Sequence, residues 1–163
     1  MNEHLYRGPF VITGLSGSGK TVLSRSLEDL GYVCVDNIPL ELVPELFATS
    51  KAELERLVVV VDVRTRGLTE KFGEIFRELS AMCSTLRIVF VEATPIVLMR
   101  RFSIARRPHP LRDRSLEQAI ADERTSLMPV RELADLIIDT SYLTPHDLKR
   151  QIGTLKALGD FVA

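Results

Sequence analysis

Five short β-rich runs, separated by segments of helical period, restrict this chain to a small set of folds. PFVITG (9–14), YVCVDN (32–37), RLVVVVDVR (56–64), LRIVFVEA (86–93) and LIIDTS (136–141) read as strands. The middle three are apolar almost throughout, the pattern of strands covered on both faces. Between the runs, Leu23, Leu27 and Leu30 recur at helical spacing, as do Phe72, Ile75, Phe76 and Leu79, and later Leu148, Ile152 and Leu155. Strand and helix in strict alternation predict an α/β fold of three layers, a five-stranded parallel sheet between helices.

Boundary residues agree with that pattern. Thr94-Pro95 and Thr144-Pro145 each place a capping hydroxyl before a proline at the first helical position. Ser115 and Gln118 form a capping box that opens a helix expected to end near Pro129. Gly31 and Gly159 follow helix ends, where a left-handed residue is often required. At 163 residues the chain is expected to form a single domain with a core of its own.

The net charge is −1, so any basic binding surface must be local. Cys34 and Cys83 fit no metal-ligand spacing and are expected to stay reduced. The first ten residues lack the pattern of a secretion signal, and LVVVV (57–61) is far too short to span a bilayer. A cytoplasmic setting away from membranes is the expectation.

The stretch between the first strand and first helix carries the chemistry. It reads GLSGSGKT, and Gly14, Gly19, Lys20 and Thr21 meet the pattern G-x-x-x-x-G-K-[ST]. Glycines let successive backbone N–H groups turn toward phosphate oxygens, and the helix that follows aims its positive end at them. Gly14, Leu15, Ser16, Gly17, Ser18, Gly19, Lys20 and Thr21 are therefore the candidate phosphate loop of a P-loop NTPase fold. Lys20 would bridge the β- and γ-phosphates, and the Thr21 hydroxyl would hold Mg²⁺.

Two acids end strands that should face the same cleft. Asp62, after LVVVV, stands where a second Mg²⁺ contact is expected, with a turn cap as the plainer reading. Asp36, in VCVDN, would serve as a general base or substrate contact, or would only close a turn before Pro39.

MRRFSIARRPHPLRDR (99–114) holds Arg100, Arg101, Arg106, Arg107, Arg112 and Arg114. Three readings stand: an arginine-rich lid over the phosphates, with Arg101 and Arg106 stabilising transferred charge, a patch for a polyanion such as RNA, or a solvated face. His109, between two prolines, reads as structural.

Taken together, GLSGSGKT, LEDLGYVCVDNIPLELVPEL, VVVVDVR, RRFSIARRPHPL and ADLIIDTS resemble the N-terminal domain of the RapZ (YvcJ) family of bacterial P-loop proteins. The resemblance covers the chain from about Gly8 to the C-terminal helix. It implies a kinase-like fold, binding of ATP and GTP, weak hydrolysis of both, and RNase-adapter roles for some members. It also implies that Asp62, Val63, Arg64 and Thr65 form a guanine-nucleotide segment. Thr65 stands where the family usually has asparagine, so the paired amide donor and acceptor are lost. Family members carry a second domain associated with RNA and partner proteins, and the present chain is expected to be the excised first one.

Three functions fit these residues: a slow ATPase/GTPase, a small-molecule or nucleotide kinase, and a non-catalytic nucleotide sensor. Val63 and Arg64 follow Asp62 where dedicated ATPases often carry a water-activating glutamate, which favours low turnover.

Overall fold

The apolar run before the glycine-rich loop becomes the central strand of the molecule. A computed structural model describes residues 8–62, 68–105 and 108–153 of the chain. Its strands are β1 (Phe10–Gly14), β2 (Val33–Asp36), β3 (Leu57–Val60), β4 (Arg87–Glu92) and β5 (Leu136–Asp139). Its helices are α1 (Lys20–Asp29), α2 (Val43–Thr49), α3 (Leu68–Met82), α4 (Pro95–Ala105), α5 (Leu116–Glu132) and α6 (Pro145–Gly153). All strand pairs are parallel, in the order β2-β3-β1-β4-β5.

The period of two along each strand sorts side chains between two cores. Phe10, Ile12, Val58, Val60, Val89 and Val91 pack against Leu23 and Leu27 of α1 and Leu148 of α6. Val11, Val59, Ile88 and Phe90 face the opposite way, against Phe47, Phe72, Leu79, Leu98, Ile120 and Leu127 from α2 to α5. Ile12, Val59 and Ile88 have no exposed surface. Burying side chains of this kind is worth about 2 kcal/mol each, which is what holds the loop's flanking strand rigid.

Three sequence expectations are corrected. β2 is an edge strand paired only with β3 and is covered only in part: Cys34 and Val35 pack against opposite cores while Val33 is 41% exposed. β3 ends at Val60 opposite Asp36, the last residue of β2, so Asp62 stands beyond the strand rather than in it. The helix opened at Ser115 does not stop near Pro129 but runs to Glu132. Proline removes one N–H from the helical ladder, but Leu127 and Val130 on either side are buried, and that packing carries the helix onward.

Two of the three predicted caps are seen as hydrogen bonds, those at Ser115 and Thr144. The Ser115 hydroxyl accepts the Gln118 N–H at 3.1 Å, and the Thr144 hydroxyl accepts the Asp147 N–H at 3.1 Å. Ser115→Ala is expected to lower unfolding free energy by about 1 kcal/mol in denaturant titration, with an unchanged denaturant slope. Gly31 takes φ +98° after α1, as its position required, and both cysteines are free. Gly159 lies outside the described residues. Among the described residues, no helix is long and apolar enough to cross a membrane.

Candidate functional site

The parallel order puts the carboxyl ends of β1, β3 and β4 on one edge, and connections diverge from β1 to either side. A crevice opens at such a point in this class of sheet. The loop from Gly14 to Gly19 fills it and passes directly into α1. Gly19 caps α1 with φ +109°, a conformation that costs side-chain-bearing residues energy. The first helical bond of α1 runs from the Leu23 N–H to the Gly19 carbonyl, 3.0 Å. A helix provides no acceptor of its own for the N–H groups ahead of that bond, and the crevice lies at that end of α1.

Lys20 folds back over the loop. Its ammonium donates to the carbonyls of Gly14 (2.8 Å) and Leu15 (3.3 Å). Thr21 is exposed at the mouth of the crevice. Lys20, Thr21 and Asp62 line one cavity of about 580 Å³, together with Ser16, Gly17, Arg101, Phe102, Pro108 and Pro110. A second cavity, about 360 Å³, adjoins it on the other side of Gly17 and Gly19. Its wall is the turn between β5 and α6, with Thr140, Leu143, Thr144 and Pro145, and Arg101 borders both spaces.

Arg101 reaches the loop as the lid reading required, but its guanidinium grips protein oxygens. Nη1 donates to the carbonyls of Gly17 (3.2 Å) and Ser18 (3.3 Å) and to the Thr140 hydroxyl (2.9 Å), and Nη2 to the Thr140 carbonyl (2.7 Å). Burial lowers its pKa from the ordinary arginine value, and the Asp139 carboxylate opposes that shift. The other arginines of this segment separate by environment. Arg100 is exposed, and Arg114 pairs with Asp113 (2.9 Å) and Asp122 (2.6 Å) on the surface. Arg106, Arg107, Val63, Arg64 and Thr65 lie outside the described residues. Asp36 lines neither cavity; its exposed carboxylate accepts the Asn37 N–H at 2.8 Å.

A carboxylate that the motif reading missed lies directly behind the loop. Glu123 of α5 is 2% exposed; its Oε1 accepts the Ser16 N–H (2.5 Å) and its Oε2 the Ser16 hydroxyl (2.7 Å). His109 is 5% exposed, with Nε2 3.4 Å from Glu123 Oε2 and Nδ1 accepting the Leu111 N–H at 3.0 Å. Burial lowers the His109 pKa, Glu123 opposes the shift and Arg114 adds to it, so the ring is neutral at pH 7 with its proton on Nε2. The sequence did carry a signal. Glu123 falls in the stripe Ala119, Ile120, Glu123, Leu127, Val130, an acid among the helix's buried positions.

The donor set can be tested against a metal. Among the described residues no three of His, Cys, Asp and Glu cluster, so those residues offer no cage for a thiolate- or imidazole-seeking ion. Two hydroxyl residues, Ser16 and Thr21, and one carboxylate, Asp62, line the cavity; the Ser16 hydroxyl donates to Glu123, which leaves Thr21 and Asp62 as metal donors. That set suits Mg²⁺, which retains water and completes its shell with phosphate oxygens.

Sheet order, phosphate loop and flanking cavities define a P-loop fold of the kinase-like kind. Solved structures agree on the fold. A shikimate kinase from Acinetobacter baumannii in complex with shikimate superposes with TM-score 0.64 at 19% identity, covering 96% of each chain. A sugar kinase from Janibacter sp. gives TM-score 0.63 at 18% identity, covering 98% of this chain and 99% of its own.

The family is narrower than the fold. Residues 9–159 match the RapZ-like N-terminal domain model, and the chain belongs to that family. A nucleotide-binding protein of Acidobacterium capsulatum is 47% identical over 146 residues, 87% of this chain and 47% of its own length. One from Thermotoga neapolitana is 42% identical, over 88% of this chain and 51% of its own length. The chain spans about half the length of the curated relatives it matches.

Proposed function

We propose that this domain binds ATP or GTP with Mg²⁺ at a single site and hydrolyses it slowly, as the nucleotide half of a longer regulatory protein. The carrying observation is the pair of adjoining cavities on either side of Gly17 and Gly19, one bordered by Lys20, Thr21 and Asp62. The phosphates lie along the loop toward Lys20, and the nucleoside extends into the space against the β5–α6 turn. The relatives' shared description as nucleotide-binding proteins supports the same reading.

Each residue then has a physical task. Backbone N–H groups at the start of α1 hold phosphate oxygens, and the Lys20 ammonium turns donors from the loop carbonyls toward them. Thr21 and Asp62 hold Mg²⁺, which when bound offsets charge on the β- and γ-phosphates. Arg101 keeps the Gly17–Ser18 backbone against the end of β5, so the loop is shaped before ligand arrives. Turnover is slow because Val63 follows Asp62 in sequence, where a carboxylate would orient water. Asp62 borders the Lys20 cavity, so the segment the family resemblance assigns to guanine nucleotides begins at the phosphate end of this same site. ATP and GTP therefore compete. RNA or protein partners are reached through the remainder of the longer relatives, with the bound nucleotide setting that contact.

Titration of the full-length protein with ATP, GTP and their diphosphates, with and without Mg²⁺, tests the reading. Phosphate release is then followed with RNA and with a panel of hydroxyl acceptors. Mutual displacement of ATP and GTP with acceptor-independent release is expected. Simultaneous binding of both, or phosphate transferred to an acceptor, contradicts it. Asp62→Asn is expected to weaken Mg²⁺-dependent binding about tenfold and leave Mg²⁺-free binding unchanged.

A further inference from the structure

Of the charged side chains near the phosphate loop, Glu123 is the most deeply buried, and no motif accounts for it. It comes from α5, 107 residues along the chain from Ser16, yet both of its oxygens are directed at that one residue. An ionisable side chain at 2% exposure is costly unless its hydrogen bonds are made, and here the backbone and side chain of a single loop residue make them. Ser16 sits inside the glycine-rich turn, between Gly17 and the buried Leu15.

The other side of the carboxylate is closed by the segment between α4 and α5. The His109 ring directs its protonated Nε2 toward Glu123 Oε2 at 3.4 Å, outside regular hydrogen-bond geometry. Phe102 of α4 packs on that ring with centroids 5.1 Å apart, and a Cβ at Gly17 would approach Phe102 to 3.1 Å. Loop, α4, the Pro108–Pro110 turn and α5 thus meet around one carboxylate. Pro108 and Pro110 line the cavity that Lys20 and Thr21 border.

We propose that Glu123 is the positioning residue of the phosphate loop, clamping Ser16 from behind, with His109 orienting the carboxylate and tying the lid segment to it. The clamp rests on the nucleotide reading only for its consequence. Its geometry belongs to the protein alone. With Ser16 N–H and Oγ–H both committed to Glu123, and the Ser18 N–H donating to the Leu15 carbonyl at 3.1 Å, phosphate is left to the other N–H groups of the loop and the start of α1. An uncompensated change at Glu123 would let the turn relax and spend binding energy on reordering it.

The test uses the full-length protein and two readouts. The first is the amide proton of Ser16 in a ¹H–¹⁵N spectrum without nucleotide. A short bond to a carboxylate places it downfield of ordinary amides, and Glu123→Gln is expected to move it upfield. His109→Leu is expected to shift it part of the way. The second is the affinity for a fluorescent ATP analogue with Mg²⁺. Glu123→Gln, which keeps the volume of the side chain, is expected to bind about tenfold more weakly, with the melting transition still cooperative. Ser16→Ala is expected to lose less, and the double variant to lose less than the sum of the two.

An unshifted Ser16 amide in folded Glu123→Gln overturns the clamp, whatever the nucleotide data show. Unchanged affinity in that variant, where the parent binds, overturns its positioning role. An unshifted amide in His109→Leu overturns the part given to His109. A parent protein that binds no triphosphate sinks the nucleotide reading instead, and the amide shift still decides the clamp.

Discussion

Alanine at position 14 is expected to leave no stably folded protein. Gly14 holds φ +144°, and a Cβ there would lie 2.0 Å from the Val91 carbonyl oxygen and 2.7 Å from its nitrogen. Both obstacles are backbone atoms of β4, the strand paired with β1 through five registered residues from Phe10 to Gly14. The Leu15 N–H also donates to the Val91 carbonyl at 3.0 Å, so separating the strands breaks that bond as well. No side chain can rotate away to relieve the contact. The loss is on the order of 5 kcal/mol or more, comparable with the whole stability of many domains. Gly73, inside α3 with nothing within 4 Å of a built Cβ, is the control. Gly73→Ala is expected to stabilise by up to about 1 kcal/mol. Circular dichroism and thermal melting check both; a Gly14→Ala protein melting cooperatively near the parent temperature would contradict the close approach.

Lys20→Ala is expected to abolish tight triphosphate binding, weakening it about a hundredfold while the fold persists. The two effects separate because Lys20 has a different position from Gly14. Its ammonium lies on the loop's own carbonyls at the cavity edge, and the side chain is partly exposed. Removing it leaves the phosphates to the backbone N–H groups and Mg²⁺, without the ammonium proposed to reach the outer phosphates. Calorimetric titration with Mg·ATP, alongside a melting curve of the unliganded variant, is the check. Parent-like affinity in a folded Lys20→Ala protein would remove the nucleotide reading in each of its forms, whether hydrolase, kinase or sensor.

Much of the fold was legible because its signals are local. A strand's period of two and a helix's of 3.6 are carried by neighbouring residues, as are the caps at Ser115 and Thr144. β2 shows where locality fails. YVCVDN is apolar enough for a central strand, and only the sheet order makes it an edge. Pro129 shows the same for helices, since packing of Leu127 and Val130 outweighs a local breaker. At the site, the Gly14–Thr21 motif located the loop, and Asp62 is among the residues that line the Lys20 cavity. Asp36, which ends a neighbouring strand, was open to a cleft role or to a plain turn before Pro39. Its side chain is exposed and lines neither cavity.

The segment with six arginines is the sharper lesson. Its composition allowed a lid, a polyanion patch or a solvated face, and among the described residues it divides by position. Arg101 grips the loop's carbonyls, while Arg114 serves a surface ion-pair cluster.

By itself the sequence determined the alternation of strand and helix, the phosphate loop and the resemblance to a family, since these reside in contiguous residues. Only the tertiary structure decided what stands around that loop. Ser16 and Glu123 are 107 positions apart, and Arg101 reaches Thr140 across 39. No periodicity connects such pairs. They meet because the sheet places β4 beside β1 and β5 beside β4, and α4 and α5 are folded back over the edge where the loop emerges.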